Sequence, residues 1–273
     1  MIHLDRELQT AIDLARQAGE VILDHYRAGV TVEYKVGDEP VTAADHAADL
    51  LIRTALRRAF PGDGILTEES EDDRSRLHRE RVWIVDPLDG TGDFVDQTDD
   101  FVVQIGLAIG GEPWLGVVYQ PVTGHLFYAA HGQGAFEQRD GRTHPVHVSS
   151  VADPARMCLV ASRSHYTPFI DRARQALDVS STRRAGSVGI KVGLVARGDC
   201  DLYLGTTVCK EWDVCAPHAV LLEAGGLLTG LRGEAITYNK PEIGACPGLV
   251  GSNGCAHARV LDALAPILER AGR

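Results

Sequence analysis

Several features that would assign this sequence to a special class of protein are missing from it. It has no run of about 18 apolar residues, so we expect no transmembrane helix. Residues Met1 to Glu7 contain no basic stretch followed by an apolar one, which predicts that there is no secretory signal. Positive charge is also in deficit: the net charge is −11, with no basic stripe for nucleic acid or an anionic membrane. We therefore expect a cytoplasmic protein without nucleic-acid or membrane partners.

Cysteine is scarce as well. All six cysteines lie in the second half, and none forms a C-x-x-C pair. Reduced and mostly buried thiols are the simplest interpretation. What is present is ordinary for a globular protein, with 44% hydrophobic and 24% charged residues. The 273 residues suffice for one large domain or two modest ones.

The two halves of the chain differ in pattern. In residues 1–150, apolar spacing predicts helices over about 4–27 and 42–60 and a strand over 30–36. Short strands separated by turns follow, near 64–67, 82–86, 101–109, 114–120, 125–130 and 134–138, which predicts a largely antiparallel sheet behind helices. The charged segment 69–81 is interpreted as a mobile surface loop.

Residues 151–273 alternate between strands and helices, which is typical of an α/β unit. The strands are expected near 157–162, 201–204, 226–229 and 248–252, and the helices near 167–178, 187–197, 213–225 and 255–271. We place a boundary near residue 150, between an α+β metal-binding half and an α/β substrate-recognition half.

The most informative segment is Trp83 to Thr91, where a buried strand runs into two carboxylates. Asp86 and Asp89 repel each other unless a cation lies between them. Carboxylate oxygens suit Mg²⁺, Mn²⁺ or Ca²⁺ rather than zinc. Gly90 and Thr91 follow, and their backbone N–H groups could hold a phosphate. The segment therefore indicates metal-assisted phosphate chemistry.

Three further acidic motifs each have a plain structural explanation. Glu68 lies in a Thr-Glu-Glu-Ser segment that could be a solvated turn. Asp213 could be a helix N-cap, and Asp45 could close a capping box with Thr42. None of these motifs is strong by itself, but their joint occurrence in this order is.

Together these motifs resemble the inositol monophosphatase superfamily of Mg²⁺-dependent, lithium-sensitive phosphomonoesterases. The resemblance rests on Asp45 in Pro-Val-Thr-x-x-Asp, on Glu68-Glu69, on Asp-Pro-Leu-Asp-Gly-Thr at 86–91 and on Trp212-Asp213-x-Cys-Ala. It is strongest for the 3'(2'),5'-bisphosphate nucleotidases, which remove the 3'-phosphate of adenosine 3',5'-bisphosphate (PAP) and often act on its sulfated analogue PAPS. The segments at 162–165, 186–191, 211–213 and 238–240 indicate this subgroup.

The resemblance implies a layered α-β-α-β-α sandwich and two or three Mg²⁺ ions. One metal would be held by Glu68, Asp86 and the Leu88 carbonyl, and a second by Asp86, Asp89 and Asp213. Thr91, oriented by Asp45, would accept a hydrogen bond from the attacking water, and the Gly90 and Thr91 N–H groups would hold the phosphate. A homodimer is a further expectation, because dimers are common among similar proteins.

The resemblance assigns substrate choice to the second half. Ser187 at a glycine-rich helix start, with Lys191 one turn later, would bind the 5'-phosphate, although an N-cap and a solvated lysine explain them equally well. His165 would contact adenine or phosphate, although lone histidines are usually structural. The chain departs from the family pattern at two places. Asp93 stands before Phe94, where the family more often has another residue, and the segment 203–206 lacks an arginine that some nucleotidases use for the 5'-phosphate. The missing arginine weakens the nucleotide assignment.

Two alternatives remain open. An inositol monophosphatase or broad sugar phosphatase would share the metal site without the nucleotide contacts. A non-catalytic phosphate sensor would be expected to have lost some of the metal carboxylates or Thr91, and all of them are present.

Overall fold

A computed structural model describes residues 3–29, 32–34 and 40–270. Within these ranges, none of the helices is both long enough and apolar enough to span a membrane. The described helices are α1 (Asp5–Ala28), α2 (Ala43–Ala59), α3 (Thr91–Val95), α4 (Pro168–Leu177), α5 (Val188–Ala196), α6 (Glu211–Glu223) and α7 (His257–Arg270).

The described strands form two large sheets and two short ribbons. In the first half they are β1 (Val32–Tyr34), β2 (Pro40–Thr42), β3 (Gly64–Thr67), β4 (Arg81–Asp89), β5 (Val102–Ile109), β6 (Glu112–Gln120), β7 (His125–Ala130), β8 (Gly134–Arg139) and β9 (Arg142–Val146). In the second half they are β10 (Cys158–Ser162), β11 (Ser181–Ala185), β12 (Leu202–Gly205), β13 (Cys209–Lys210), β14 (Leu227–Gly230), β15 (Gly244–Cys246) and β16 (Leu249–Ser252).

The larger sheet has seven strands in sequence order, β3 to β9. Its β3–β4 pair is parallel and its other neighbours are antiparallel. The second sheet has five strands in the order β11-β10-β12-β16-β14, with parallel pairing around β10 and antiparallel pairing around β16. The seven-stranded sheet is thus largely antiparallel, as expected, and the five-stranded sheet is mixed.

Helices cover the sheets in alternating layers. One core joins α1 and α2 to a face of the seven-stranded sheet, and a second joins the opposite face to α5 and α6. A third core packs α4 and α7 on the far side of the five-stranded sheet. Every residue of β5 is buried, because helices lie on both of its faces. The architecture is the expected α-β-α-β-α sandwich.

Several details differ from the sequence-based expectations. Segment 69–81 is not simply a solvated loop, because Arg76 is only 1% exposed and pairs with Asp72. Helix α6 begins at Glu211, two residues before the expected start. The sequence pattern also missed five strands, β2, β9, β11, β13 and β15. Strand β11 is mostly exposed at a sheet edge, so it carries none of the apolar alternation that reveals a half-buried strand.

Two expectations are not settled by these elements. Of the strand expected over 30–36, only β1 lies within the described residues. The boundary near residue 150 stays a prediction. The second core contains residues from both sides of that position, including Ile84 and Val102 with Trp212 and Cys215.

Close approach of α6 to the seven-stranded sheet depends on glycine. A Cβ atom on Gly106 would lie 2.7 Å from the Cys215 sulfur and 3.0 Å from the Ala216 nitrogen. A Cβ atom on Gly116 would overlap the Ala216 carbonyl. Both glycines therefore let the helix backbone lie directly on the strands.

We expect Gly116→Ala to lower the free energy of unfolding by about 3 kcal/mol or more, because α6 must move away from β6. Urea denaturation measures this change. Gly62→Ala is the matched control, since a Cβ atom there meets no neighbour within 4 Å. Equal stability of the two variants would contradict this packing.

Candidate metal and phosphate site

The strand end at Asp86 is shaped by a local hydrogen bond. Asp86 is 1% exposed, and its Oδ1 accepts a hydrogen bond from the Leu88 N–H at 3.0 Å. The pairing of β4 with β5 shifts register between Asp86 and Asp89. Because of this irregularity, both carboxylates lie at the same end of the sheet instead of alternating strictly along a regular strand.

Asp89 lies against the first turn of α5. Its Oδ2 accepts hydrogen bonds from Val188 N at 2.8 Å and Gly189 N at 3.3 Å. The Ser187 hydroxyl donates to the same oxygen at 2.5 Å, and the Gln104 amide donates at 2.7 Å. The helix N-terminus stabilises this negative charge.

Ser187 and Lys191 are therefore placed differently from the expected 5'-phosphate contact. Ser187 is the N-cap of α5, as the alternative interpretation predicted. Its hydroxyl donates to Asp89 and accepts from the Ile190 N–H. Lys191 is 4% exposed and donates to the Gly186 carbonyl at 3.2 Å, so the solvated-lysine explanation is wrong. Lys191 and Asp89 both make contacts at the start of α5, and the Asp89 carboxylate opposes the lowering of the Lys191 pKa by burial. Within this geometry, a carboxylate already occupies the helix start where a phosphate was expected.

Glu68 and Asp213 approach the same region from opposite sides. The Glu68 N–H donates to the Val85 carbonyl at 3.2 Å, which extends the β3–β4 ladder to the residue before Asp86. Asp213 lies in the first turn of α6, where its Oδ2 accepts from the Lys210 N–H at 2.7 Å. Asp213 thus has a capping contact, but from the third helical position and not as the N-cap.

The carboxylates interact electrostatically. Burial raises the pKa of Asp86 well above its ordinary value, and the carboxylates of Glu68, Asp89 and Asp213 raise it further. Burial also raises the pKa of Asp213, and Asp89 and Glu68 add to this effect. Burial raises the pKa of Asp89, while Lys191 opposes the rise. This excess of buried negative charge is suited to a bound cation.

The donor chemistry fits a hard divalent ion. One oxygen each of Asp86, Asp89 and Asp213 is held by the protein, and the other accepts no hydrogen bond within the described ranges. No three His, Cys, Asp or Glu side chains among the described residues already have metal-site spacing. The carboxylate oxygens without a hydrogen bond and the mutual repulsion of these groups make Asp86, Asp89 and Asp213 candidate ligands.

Asp45 and Thr91 meet as the resemblance implies. The Thr91 hydroxyl donates to Asp45 Oδ1 at 3.1 Å and also lies 3.2 Å from the Leu88 carbonyl. The other oxygen, Asp45 Oδ2, accepts from the N–H and hydroxyl of Thr42, which forms the capping box of α2. The two interpretations of Asp45 are compatible, since one carboxylate caps a helix and contacts Thr91 at once.

Gly90 and His165 lie at the edges of this region. Gly90 has φ +97°, and a Cβ atom there would lie 2.9 Å from the Asp100 carbonyl, so only glycine fits the turn comfortably. His165 is exposed in the loop after β10, with its Nδ1 3.0 Å from the Ser164 hydroxyl. The structure brings Asp45, Glu68, Asp86, Asp89, Thr91 and Asp213 into one region, and His165 is not among the groups that contact them.

An ion-pair cluster beside the site was missed by sequence reasoning. Arg163 donates to Asp93 at 3.1 Å and to Asp100 at 2.5 Å, and Asp100 also accepts from Gly186 N at 2.8 Å. Asp93, one of the two departures from the family pattern, therefore has an arginine partner 70 residues away. No local sequence signal could have paired them.

A cavity of about 220 Å³ adjoins this cluster and not the carboxylates themselves. Its floor includes Val102, Val118 and Phe127 from the seven-stranded sheet, and its wall includes Arg183 and Arg184 from β11. Arg184 stacks on the Tyr166 ring at 3.3 Å and makes no ion pair within the described residues. The cavity thus combines apolar surface with an exposed cationic side chain.

We expect Asp86→Asn to raise the free energy of unfolding by about 1–2 kcal/mol without divalent cations, because it removes one of several repelling buried charges. Added Mg²⁺ should then stabilise the wild-type protein more than the variant. Urea denaturation with chelator and with Mg²⁺ measures both effects. Asp49→Asn is the control: it is buried too, but it pairs with Arg53 and Ser70, so it should lose stability. A similar loss in both variants would contradict the repulsion.

Comparisons with known proteins match this chain over most of its length. The family model described as "Inositol monophosphatase family" matches residues 3–269. The 3'(2'),5'-bisphosphate nucleotidase CysQ of Salmonella typhimurium is 36% identical over 244 residues, covering 88% of this chain and 97% of that protein. Among solved structures, CysQ from Bacteroides thetaiotaomicron has a TM-score of 0.79 and 30% identity, covering 92% and 98% of the two chains. An inositol monophosphatase from Thermotoga maritima has a TM-score of 0.82 and 27% identity, covering 97% and 99%.

These similarities cover nearly the whole chain and agree with the layered fold. The resemblance inferred from the sequence is confirmed at the level of fold and family. The chain belongs to the inositol monophosphatase family.

Proposed function

We propose that this protein is a Mg²⁺-dependent phosphatase that removes the 3'-phosphate of PAP, with PAPS as a further substrate. That it is a hydrolase of phosphate monoesters follows from its family and its relatives. The observation that carries the metal part is the group of mutually repelling carboxylates around the buried Asp86, each of which is itself half-buried. The nucleotide part is supported by the similarity to CysQ proteins over most of both chains.

The proposed ligands are Glu68, Asp86 and the Leu88 carbonyl for one Mg²⁺, with Asp86, Asp89 and Asp213 for a second. When bound, Mg²⁺ lowers the pKa of water and stabilises charge on the leaving oxygen of an in-line displacement. The proposed site holds two or three Mg²⁺ ions.

The chain's own groups contribute orientation and proton handling. Since the Thr91 hydroxyl donates to Asp45 in the structure, its lone pairs are available to accept a hydrogen bond from a water that attacks phosphorus. The Gly90 and Thr91 N–H groups at the start of α3 are proposed to bind phosphate oxygens. Asp45 keeps this hydroxyl oriented because its own position is set by Thr42.

Substrate recognition is proposed to depend on the cavity side of the site. Because Ser187 and Lys191 are engaged by Asp89 and Gly186, we propose Arg184 as a cation for the second phosphate. His165 is kept as a proposed contact for the base or phosphate from its exposed loop. The cytoplasmic location and the homodimer stay predictions.

The test of this function is a side-by-side assay of phosphate release from PAP, AMP, inositol 1-phosphate and fructose 1,6-bisphosphate. We expect PAP to have the highest kcat/KM, with activity that requires Mg²⁺ and is suppressed by Li⁺. A preference for inositol 1-phosphate would favour the alternative, an inositol monophosphatase with the same metal site. Turnover that persists in chelator would contradict the metal mechanism.

A pair of variants distinguishes the buried Lys191 from Arg184, the proposed contact of the second phosphate. Lys191→Met should lower kcat/KM for PAP and inositol 1-phosphate by similar factors, because its charge interacts with Asp89. Arg184→Met should raise KM about tenfold for PAP and leave inositol 1-phosphate nearly unchanged, as expected for loss of one charged contact to a second phosphate. A selective loss of PAP hydrolysis in Lys191→Met instead would return the phosphate contact to α5.

A further inference from the structure

Two sequence features have no role in the proposed catalytic site: the charged segment 69–81 and the Tyr238-Asn239-Lys240 motif. The structure joins them through Arg76. This side chain is almost fully buried, and its guanidinium donates twice to Asp72, with Nη2 to Oδ2 at 2.9 Å and Nε to Oδ1 at 3.1 Å. A buried arginine with this many directed contacts fixes the relative position of the segments it touches.

Asn239 is the second member of this network. Its side-chain oxygen accepts from Arg76 Nη1 at 2.9 Å, and its amide group donates to the Arg76 and Arg79 carbonyls at 3.2 Å. Arg76 Nη2 also donates to the Lys240 carbonyl at 3.0 Å. Asn239 has φ +59°, a conformation that asparagine tolerates better than most residues.

Glu211 connects the network to α6. It is fully buried, and its two carboxylate oxygens accept from Asn239 N at 2.7 Å and Lys240 N at 3.0 Å. Its own N–H donates to the Ile243 carbonyl at 3.1 Å. The backbone and the side chain of Glu211 therefore both hold the first turn of α6 against residues 239–243.

The two ends of this network lie beside proposed metal ligands. Arg76 packs on β3, since a Cβ atom on Gly64 would lie 2.9 Å from the Arg76 Cβ, and β3 leads directly into Glu68. Glu211 is two residues before Asp213 in the same helical turn. Glu68 comes from the first half of the chain and Asp213 from the second, and Arg76, Asn239 and Glu211 connect their two segments by side-chain contacts.

We propose that Arg76, Asn239 and Glu211 form a clamp that positions Glu68 relative to Asp213 and so determines the affinity of the site for Mg²⁺. The proposal rests on the proposed function, because it assumes that these two carboxylates bind the metal. The clamp residues are positioning residues: their contacts join residues 76–79, residues 239–240 and the first turn of α6, and none of them is a proposed metal ligand. Outer contacts of this kind typically change metal affinity by about 10–100-fold when they are removed.

The sharpest variant is Asn239→Gly. Glycine adopts a positive φ freely and keeps the backbone N–H that donates to Glu211. Only the side-chain contacts with Arg76 and Arg79 are therefore lost. Asp178→Gly is its matched control: Asp178 also has a positive φ, +52°, but lies exposed at the end of α4.

Arg76→Met and Arg81→Met form a second pair. Arg81 also has two acidic partners, Glu7 and Asp63, but these connect β4 to α1 and to the turn before β3.

The measurement is Mg²⁺ binding to the substrate-free protein by isothermal titration calorimetry, with KM and the Mg²⁺ concentration for half-maximal activity measured in parallel. We expect Asn239→Gly and Arg76→Met to raise the Kd for Mg²⁺ about tenfold, and both controls to stay within about twofold of wild type. The KM at saturating Mg²⁺ should not change. If Arg76→Met fails to fold, Asn239→Gly still decides the question.

Two results would overturn the clamp, and they differ in what they say about the function. Unchanged Mg²⁺ affinity in Asn239→Gly, with wild type binding Mg²⁺ normally, would reduce the network to a structural role and leave the proposed function intact. Absence of Mg²⁺ binding to the wild-type protein would overturn both.

Discussion

Mutual repulsion among buried carboxylates is the constraint on which the rest of this structure depends. Burial raises the pKa of Asp86, Asp89 and Asp213, and neighbouring carboxylates raise the pKa of Asp86 and Asp213 further. The protein tolerates them by giving each one backbone N–H partners at a strand bulge or a helix start. These contacts hold the carboxylates in place without cancelling their charge, which is the condition under which a divalent cation binds well.

The layered fold brings these groups together from distant parts of the chain. Helices α5 and α6 lie between the two sheets, so their N-terminal turns reach the strand end that carries Asp86 and Asp89. Gly106 and Gly116 let α6 lie directly on the seven-stranded sheet. The middle layer therefore supplies one carboxylate, Asp213, and one buried countercharge, Lys191, while the first layer supplies Asp45 on α2.

Sequence reasoning predicted the family, the layers and the carboxylates that the structure brings into one region, because strand patterning and the Asp86–Thr91 motif are local signals. It was less successful where the decisive partners are far apart in sequence. The sequence left Lys191 as either a phosphate contact or a solvated lysine, but tertiary packing buries it, and the Asp89 carboxylate opposes the lowering of its pKa. Segment 69–81 looked like a mobile loop, since its charge density does not reveal that Arg76 finds Asn239 some 163 residues away. Strand β11 lacked an apolar pattern because it is an exposed edge.

The central claim is that the carboxylates of Glu68, Asp86, Asp89 and Asp213 hold divalent cations. Its most direct test is a crystal structure of the protein grown with Mn²⁺ and recorded at an energy where manganese scatters anomalously. We expect two anomalous peaks within coordination distance of Asp86. One should also contact Asp89 and Asp213, and the other should contact Glu68 and the Leu88 carbonyl. Ordered, well-occupied manganese elsewhere, with these four carboxylates bonded only to protein and water, would contradict it.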